Sequence, residues 1–93
     1  MFVNISVHRI REGNESLMLD SMHRYAAAAR KAAGLREVYS LRDERTGALL
    51  GLAIWDSQEA YEAASATIME AVAGDDLDAW HVEPWTSYHC VEA

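Results

Sequence analysis

Near the start of the chain, Asn4, Ser6 and His8 alternate with Val3, Ile5 and Val7. At the two-residue period of a strand, the polar trio shares one face and the aliphatic trio the other. A histidine titrates close to neutral pH and can take or give a proton. Serine and asparagine side chains can each donate and accept hydrogen bonds. If this strand is covered on both faces, its polar trio has two outcomes. The three bond one another or the backbone, or they line a wet or ligand-filled cavity. Met18, Met22 and Tyr25 follow at helical spacing, then small residues such as Ala29. A second stripe, Tyr61, Ala64, Ile68 and Val72, repeats that spacing. Small residues opposite a polar strand face leave space, and an apolar pocket with a few converging polar groups is the default small-molecule site. Both outcomes are open at this level.

Other chemistries find little support. His89 and Cys90 are neighbours on an expected strand, so they point to opposite faces and cannot share a metal ion. Asp75-Asp76-Leu77-Asp78 lacks the spacing, glycine and distal glutamate of a calcium loop, and reads as a solvated acidic turn. There is no phosphate-binding glycine loop, nucleophile elbow or Cys-x-x-Cys. The reading therefore assigns neither metal nor cofactor. A net charge of -7 argues against phosphate-mediated binding of nucleic acid.

The charge is unevenly spread. All 8 Lys and Arg lie at or before Arg45, together with six acids; the remainder carries nine acids and no Lys or Arg. Either the acidic helix is simply solvated, or the acidic half of one subunit faces the basic half of another. One cysteine cannot form an internal disulfide, which fits a reducing, cytoplasmic setting. The N-terminal residues lack the pattern of a secretory leader, and no apolar run is long enough to span a bilayer.

These residues need elements to hold them. Alternation predicts a strand over 2–11, and Glu12-Gly13-Asn14 a turn. A helix is expected over 15–33, stopped by Gly34, with Arg30 and Lys31 in its last turn. Strands follow over 35–42 and 48–55, joined by a polar hairpin over 43–47. A second helix is expected over 57–73 with Gly74 ending it, then an acidic connector with one helical turn, and a last strand over 82–91. Pro84 must lie near that strand's start or on an edge. The order describes one domain over 1–93, an α+β fold of the ferredoxin-like split βαβ type (β-α-β-β-α-β). Right-handed crossovers put both helices on one face of the sheet. The other face, including Val3, Ile5 and Val7, is left bare and apolar and calls for a partner. A chain of this length buries only about 60–65% of its unfolded surface, so a homodimer through that sheet face is the expected source of further burial.

One stretch carries a family resemblance. The run Ala48 to Ile54 arrives at Trp55 and turns at once into Asp56-Ser57-Gln58-Glu59-Ala60-Tyr61-Glu62-Ala63-Ala64. Asp56 is the expected cap and Glu59 its capping-box partner, with Trp55 plugging the corner. This turn resembles the third strand and second helix of the dimeric α/β barrel proteins, and among them the antibiotic biosynthesis monooxygenase-like group. The resemblance implies two subunits joined sheet to sheet as a dimeric barrel, with a pocket between each sheet and its helices. It implies an electron-rich aromatic or polyketide-type substrate which, once deprotonated, reduces oxygen itself without metal or flavin. The protein would supply a base, hydrogen-bond donors and exclusion of water.

In that setting His8 is the candidate base, Asn4 and Tyr25 are the candidate donors, and His89 is the alternative base. Ser6, Met18, Met22, Ala64 and Ile68 are the expected pocket lining. A haem-degrading branch of the same fold shares an asparagine at the place of Asn4. It needs a tryptophan and a histidine at helix positions that here hold Ala64 and about Ala73, so two of its three functional residues are missing and haem degradation is not expected. Trp80 and Trp85 read first as dimer interface, and otherwise as an apolar rim over the pocket mouth. Three function classes fit: a cofactor-independent monooxygenase, a non-catalytic or stress-type barrel holding a small apolar or aromatic molecule, and an isomerase or cyclase using the same pocket.

Overall fold

A computed structural model describes residues 1–93. The elements are β1 (Phe2–His8), α1 (Glu15–Ala29), β2 (Leu35–Arg42), β3 (Leu49–Trp55), α2 (Gln58–Glu70), α3 (Leu77–Trp80) and β4 (Thr86–Val91). The strands form one antiparallel sheet in the order β2-β3-β1-β4, the ferredoxin-like arrangement. No helix is long and apolar enough to cross a membrane.

Strand register explains where space is left. On the helix-covered face, one row runs Leu35, Trp55, Phe2, Val91 across the sheet. The next is Val38, Ala53, Asn4, His89, and the next Ser40, Gly51, Ser6, Ser87. The last pairs Arg42 and Leu49 with His8. Bulky side chains thus occupy the two end rows, and small or polar ones the rows between. The core divides accordingly. Phe2, Trp55, Ala26, Ala29 and Ile68 pack at one end, and Met18, Met22 and Leu49 at the other.

The opposite face is apolar and uncovered. Its middle row is Tyr39, Leu52, Ile5, Tyr88, flanked by Ile54 and Val3 on one side and Leu41, Leu50 and Val7 on the other. Tyr39, Leu41 and Tyr88 are 43%, 44% and 51% exposed.

Several local expectations are corrected. Helix α1 ends at Ala29; residues 30–34 turn back, and Gly34 takes φ +87° beyond a further turn, so no basic residue lies in the last helical turn. Helix α2 is capped by Ser57, whose side chain accepts from the Ala60 backbone N–H. Asp56 is drawn instead to Arg36, which donates to it at 2.6 Å. Helix α2 ends at Glu70, and Gly74 has no left-handed φ. Strand β1 stops at His8, and β4 begins only at Thr86. An isolated bridge between Ile10 and His81 replaces the outer part of the expected ladder, because the chain bends away before Pro84 and Trp85.

The acidic connector is not merely solvated. Asp75 takes two hydrogen bonds from Arg24, at 3.0 and 2.9 Å, and Asp76 caps α3. Arg24 also donates to the Ala71 carbonyl, tying α1 to the end of α2. Bonds from Ser21 and Arg24 hold the Asp75 carboxyl below its usual range. Arg9–Glu83, Arg24–Asp75 and Arg36–Asp56 all join the basic half of the chain to its acidic half. Part of the charge asymmetry is therefore resolved within the chain itself.

Candidate functional site

The small middle rows of the sheet form the floor of a cavity of about 190 Å³ beneath the helices. Asn4, Ser6, His8, Met18, Met22 and Tyr25 all line it, and so does His89. Ala64 and Ile68 do not. They border a separate groove between the helices, and Ile68 is sealed in the core beside Trp55 and Phe2. Helix α2 instead turns Tyr61 and Met69 toward the cavity. An apolar cavity of about 150 Å³ suffices to take up benzene, so this space has room for a single aromatic ring.

At one end, His8 and His81 are buried, 6% and 3% exposed. His8 Nε2 lies 2.8 Å from Ser6 Oγ, and His8 Nδ1 lies 2.7 Å from His81 Nε2. His81 Nδ1 lies 2.5 Å from the Leu77 carbonyl oxygen. Trp85 covers the pair, its ring 5.9 Å from His8 and 5.0 Å from His81. Burial, and then the neighbouring His81, lower the pKa of His8 to about 4. Near neutral pH it is uncharged, and both of its nitrogens are already bonded.

At the other end, the Trp55 indole N–H donates to Asn4 Oδ1 at 3.1 Å, which fixes the asparagine on the cavity floor. Burial pushes the Tyr25 phenol up; Tyr61 adds to this, and a hydrogen bond with Asn4 opposes it. Tyr25 therefore remains a neutral O–H donor. His89 is exposed at the cavity edge, with its ring 5.6 Å from Phe2 and 5.4 Å from Tyr61.

The structure thus brings Asn4, Tyr25 and His89 together at one end and Ser6 and His8 at the other. His81, Gly51 and Tyr61 went unassigned in the sequence. A Cβ on Gly51 would stand 2.8 Å from Ser6 Oγ, so glycine makes room for that hydroxyl. A lone glycine inside a strand is the signal for such close approach. Trp85 lines the cavity, the place that the rim reading gives it. Trp80 packs against the Met18, Met22 and Leu49 cluster. No three His, Cys, Asp or Glu side chains converge as a metal-ligand set.

No family model and no curated protein matches the chain. Solved structures do. Rv0793 from Mycobacterium tuberculosis superposes with a TM-score of 0.85 at 13% identity, over 99% of this chain and 94% of that one. A crystal structure described as an antibiotic biosynthesis monooxygenase gives 0.82 at 14% identity, over 100% and 99%. SnoaB, a cofactor-independent oxygenase from Streptomyces nogalater solved in mutant form, gives 0.78 at 14% identity, over 98% and 91%. The chain has the fold of the antibiotic biosynthesis monooxygenase-like proteins, as the turn at Trp55 to Ala64 implies. At such identities the likeness concerns the fold.

Proposed function

We propose that this protein is a cofactor-independent monooxygenase-type enzyme acting on a small, single-ring aromatic or enolic molecule. The observation that carries the reading is the cavity itself, with its apolar walls of Met18 and Met22 and its polar groups at two ends. Its size accommodates a compact ring. Tyr25, held by Asn4, donates a hydrogen bond to an oxygen of the bound molecule. His89 is the base, in place of His8. It stands at the cavity edge, while His8 has both nitrogens engaged and a low pKa. The deprotonated ring is electron-rich enough to reduce oxygen. One oxygen atom enters a ring carbon; the other leaves as water with two substrate hydrogens. The helices and Trp85 keep bulk water from the anion.

The same fold argument extends to assembly. Two copies join through the bare sheet face centred on Leu52 and Ile5, which supplies the burial that a short chain lacks.

A second reading is a carrier that holds the molecule without turning it over. The closed Ser6–His8–His81 bonding favours it, since a satisfied core network needs no reaction to explain it. Oxygen uptake with a panel of dihydroxy- and trihydroxybenzenes separates the two. The enzyme reading expects uptake above the protein-free rate, reduced about 100-fold or more by His89→Ala. Binding of these compounds without uptake would establish the carrier. Uptake that is insensitive to His89→Ala would remove His89 as the base.

A further inference from the structure

The bonding chain Ser6–His8–His81–Leu77 has a direction, and its far end sets it. A backbone carbonyl can only accept, so at 2.5 Å from Leu77 O the Nδ1 of His81 must carry the proton. With both rings uncharged, His81 then presents an unprotonated Nε2, which can only accept. His8 Nδ1, 2.7 Å away, must therefore be the donor. Neutral His8 is left with an unprotonated Nε2, and the Ser6 hydroxyl 2.8 Å from it must donate. While both rings are uncharged, reversing any one bond leaves either two lone pairs or two protons facing each other in a buried place, at a cost of roughly 1–3 kcal/mol. The Ser6 proton is thus committed to His8, and only the oxygen's lone pairs remain for a bound molecule.

We infer that Ser6 is a specificity-determining acceptor, fixed by the positioning residue His81, and that the cavity selects molecules presenting an O–H or N–H donor to Ser6 over analogues with a carbonyl there. A carbonyl oxygen at that spot would set lone pairs against lone pairs. Gly51 supports the assignment from the opposite strand. A side chain there would displace the Ser6 hydroxyl, and none is present. Applied to the proposed reaction, on which this consequence rests, a hydroxyl-bearing substrate is held at Ser6. A product with a carbonyl in its place is released. The direction of the chain does not depend on that reaction.

Two measurements test the inference. The first is the tautomer of each histidine from ¹⁵N NMR of histidine-labelled protein near neutral pH. Expected are protons on Nδ1 of both His8 and His81, with both Nε2 atoms unprotonated. A proton on His8 Nε2 overturns the inference, and this test needs no variant. The second compares binding of 1-phenylethanol and acetophenone, an alcohol and ketone of nearly one shape. The wild type should prefer the alcohol about tenfold or more. In His81→Phe, His8 loses its acceptor, shifts its proton to Nε2 and donates to Ser6, so the preference should vanish or reverse. Equal wild-type affinities, or a preference untouched by His81→Phe, would overturn the inference. If neither compound binds, the proposed function loses its support, and the tautomers alone decide the inference.

Discussion

His8 shows how burial changes what a residue is suited to do. Its type and place made it the first candidate base, and the structure puts it at the cavity. Burial and His81 then hold its pKa at about 4. The sign of the stability effect follows from linkage. The unfolded chain takes up this proton near pH 6.5 and the folded chain only near 4, so the native state binds fewer protons between those values. His8 therefore costs no stability above pH 6.5. As pH falls from 6.5 to 4 stability declines, by up to about 3 kcal/mol in all. Urea titrations across that window should show a steeper decline for the wild type than for His8→Leu. Equal slopes would contradict the buried, neutral His8.

The polar face of β1 was legible from alternation alone, since Asn4, Ser6 and His8 fall on it by count. His81 was not, because nothing local says that a residue 73 positions away will meet His8.

At the scale of elements, the strand-helix corner after Trp55 is the most informative turn, and its cap is one residue later than expected. Both Asp56 and Ser57 suit a cap. The competition is settled by Arg36, which lies at the register shift in β2 and draws Asp56 away. Two substitutions distinguish the roles. Ser57→Ala should cost about 1 kcal/mol, the usual loss for an N-cap. Asp56→Ala breaks an exposed ion pair and should cost less than that, in the range of about 0–1 kcal/mol. Thermal or urea melts of the two variants check the order; a larger loss for Asp56→Ala would return the cap to Asp56. The order of elements and their approximate spans followed from periodicity. The ends did not. Helix α1 was read four residues too long because alanines after Ala29 favour a helix that the turn toward β2 interrupts. Strand β4 was read four residues too long because Val82 and Trp85 look strand-like, although the bend before Pro84 interrupts the ladder between the Ile10–His81 bridge and Thr86.

For the whole molecule, the two faces of the sheet have opposite fates. The inner face leaves a cavity because its small residues line up across all four strands. That alignment depends on register, which no single segment reveals. The outer face is mostly apolar and remains uncovered by the chain's own helices. Its unpaired state was foreseeable from topology, since both crossovers fall on one side. If two copies cover it, the protein should run as a dimer in light scattering at micromolar concentration. Leu52→Glu, at the centre of that face, should yield monomer and lower the melting temperature. A wild-type monomer would remove the barrel assembly, and a dimer unaffected by Leu52→Glu would place the interface elsewhere.

The central claim is that the space between sheet and helices receives a small aromatic molecule. The most direct test is an NMR titration with hydroquinone, following backbone amides and methionine methyls. The account predicts saturable shifts centred on Asn4, Ser6, Gly51 and His89 and on the methyls of Met18 and Met22. Shifts confined to the outer sheet face or to the groove beside Ala64, or none at all, would contradict it.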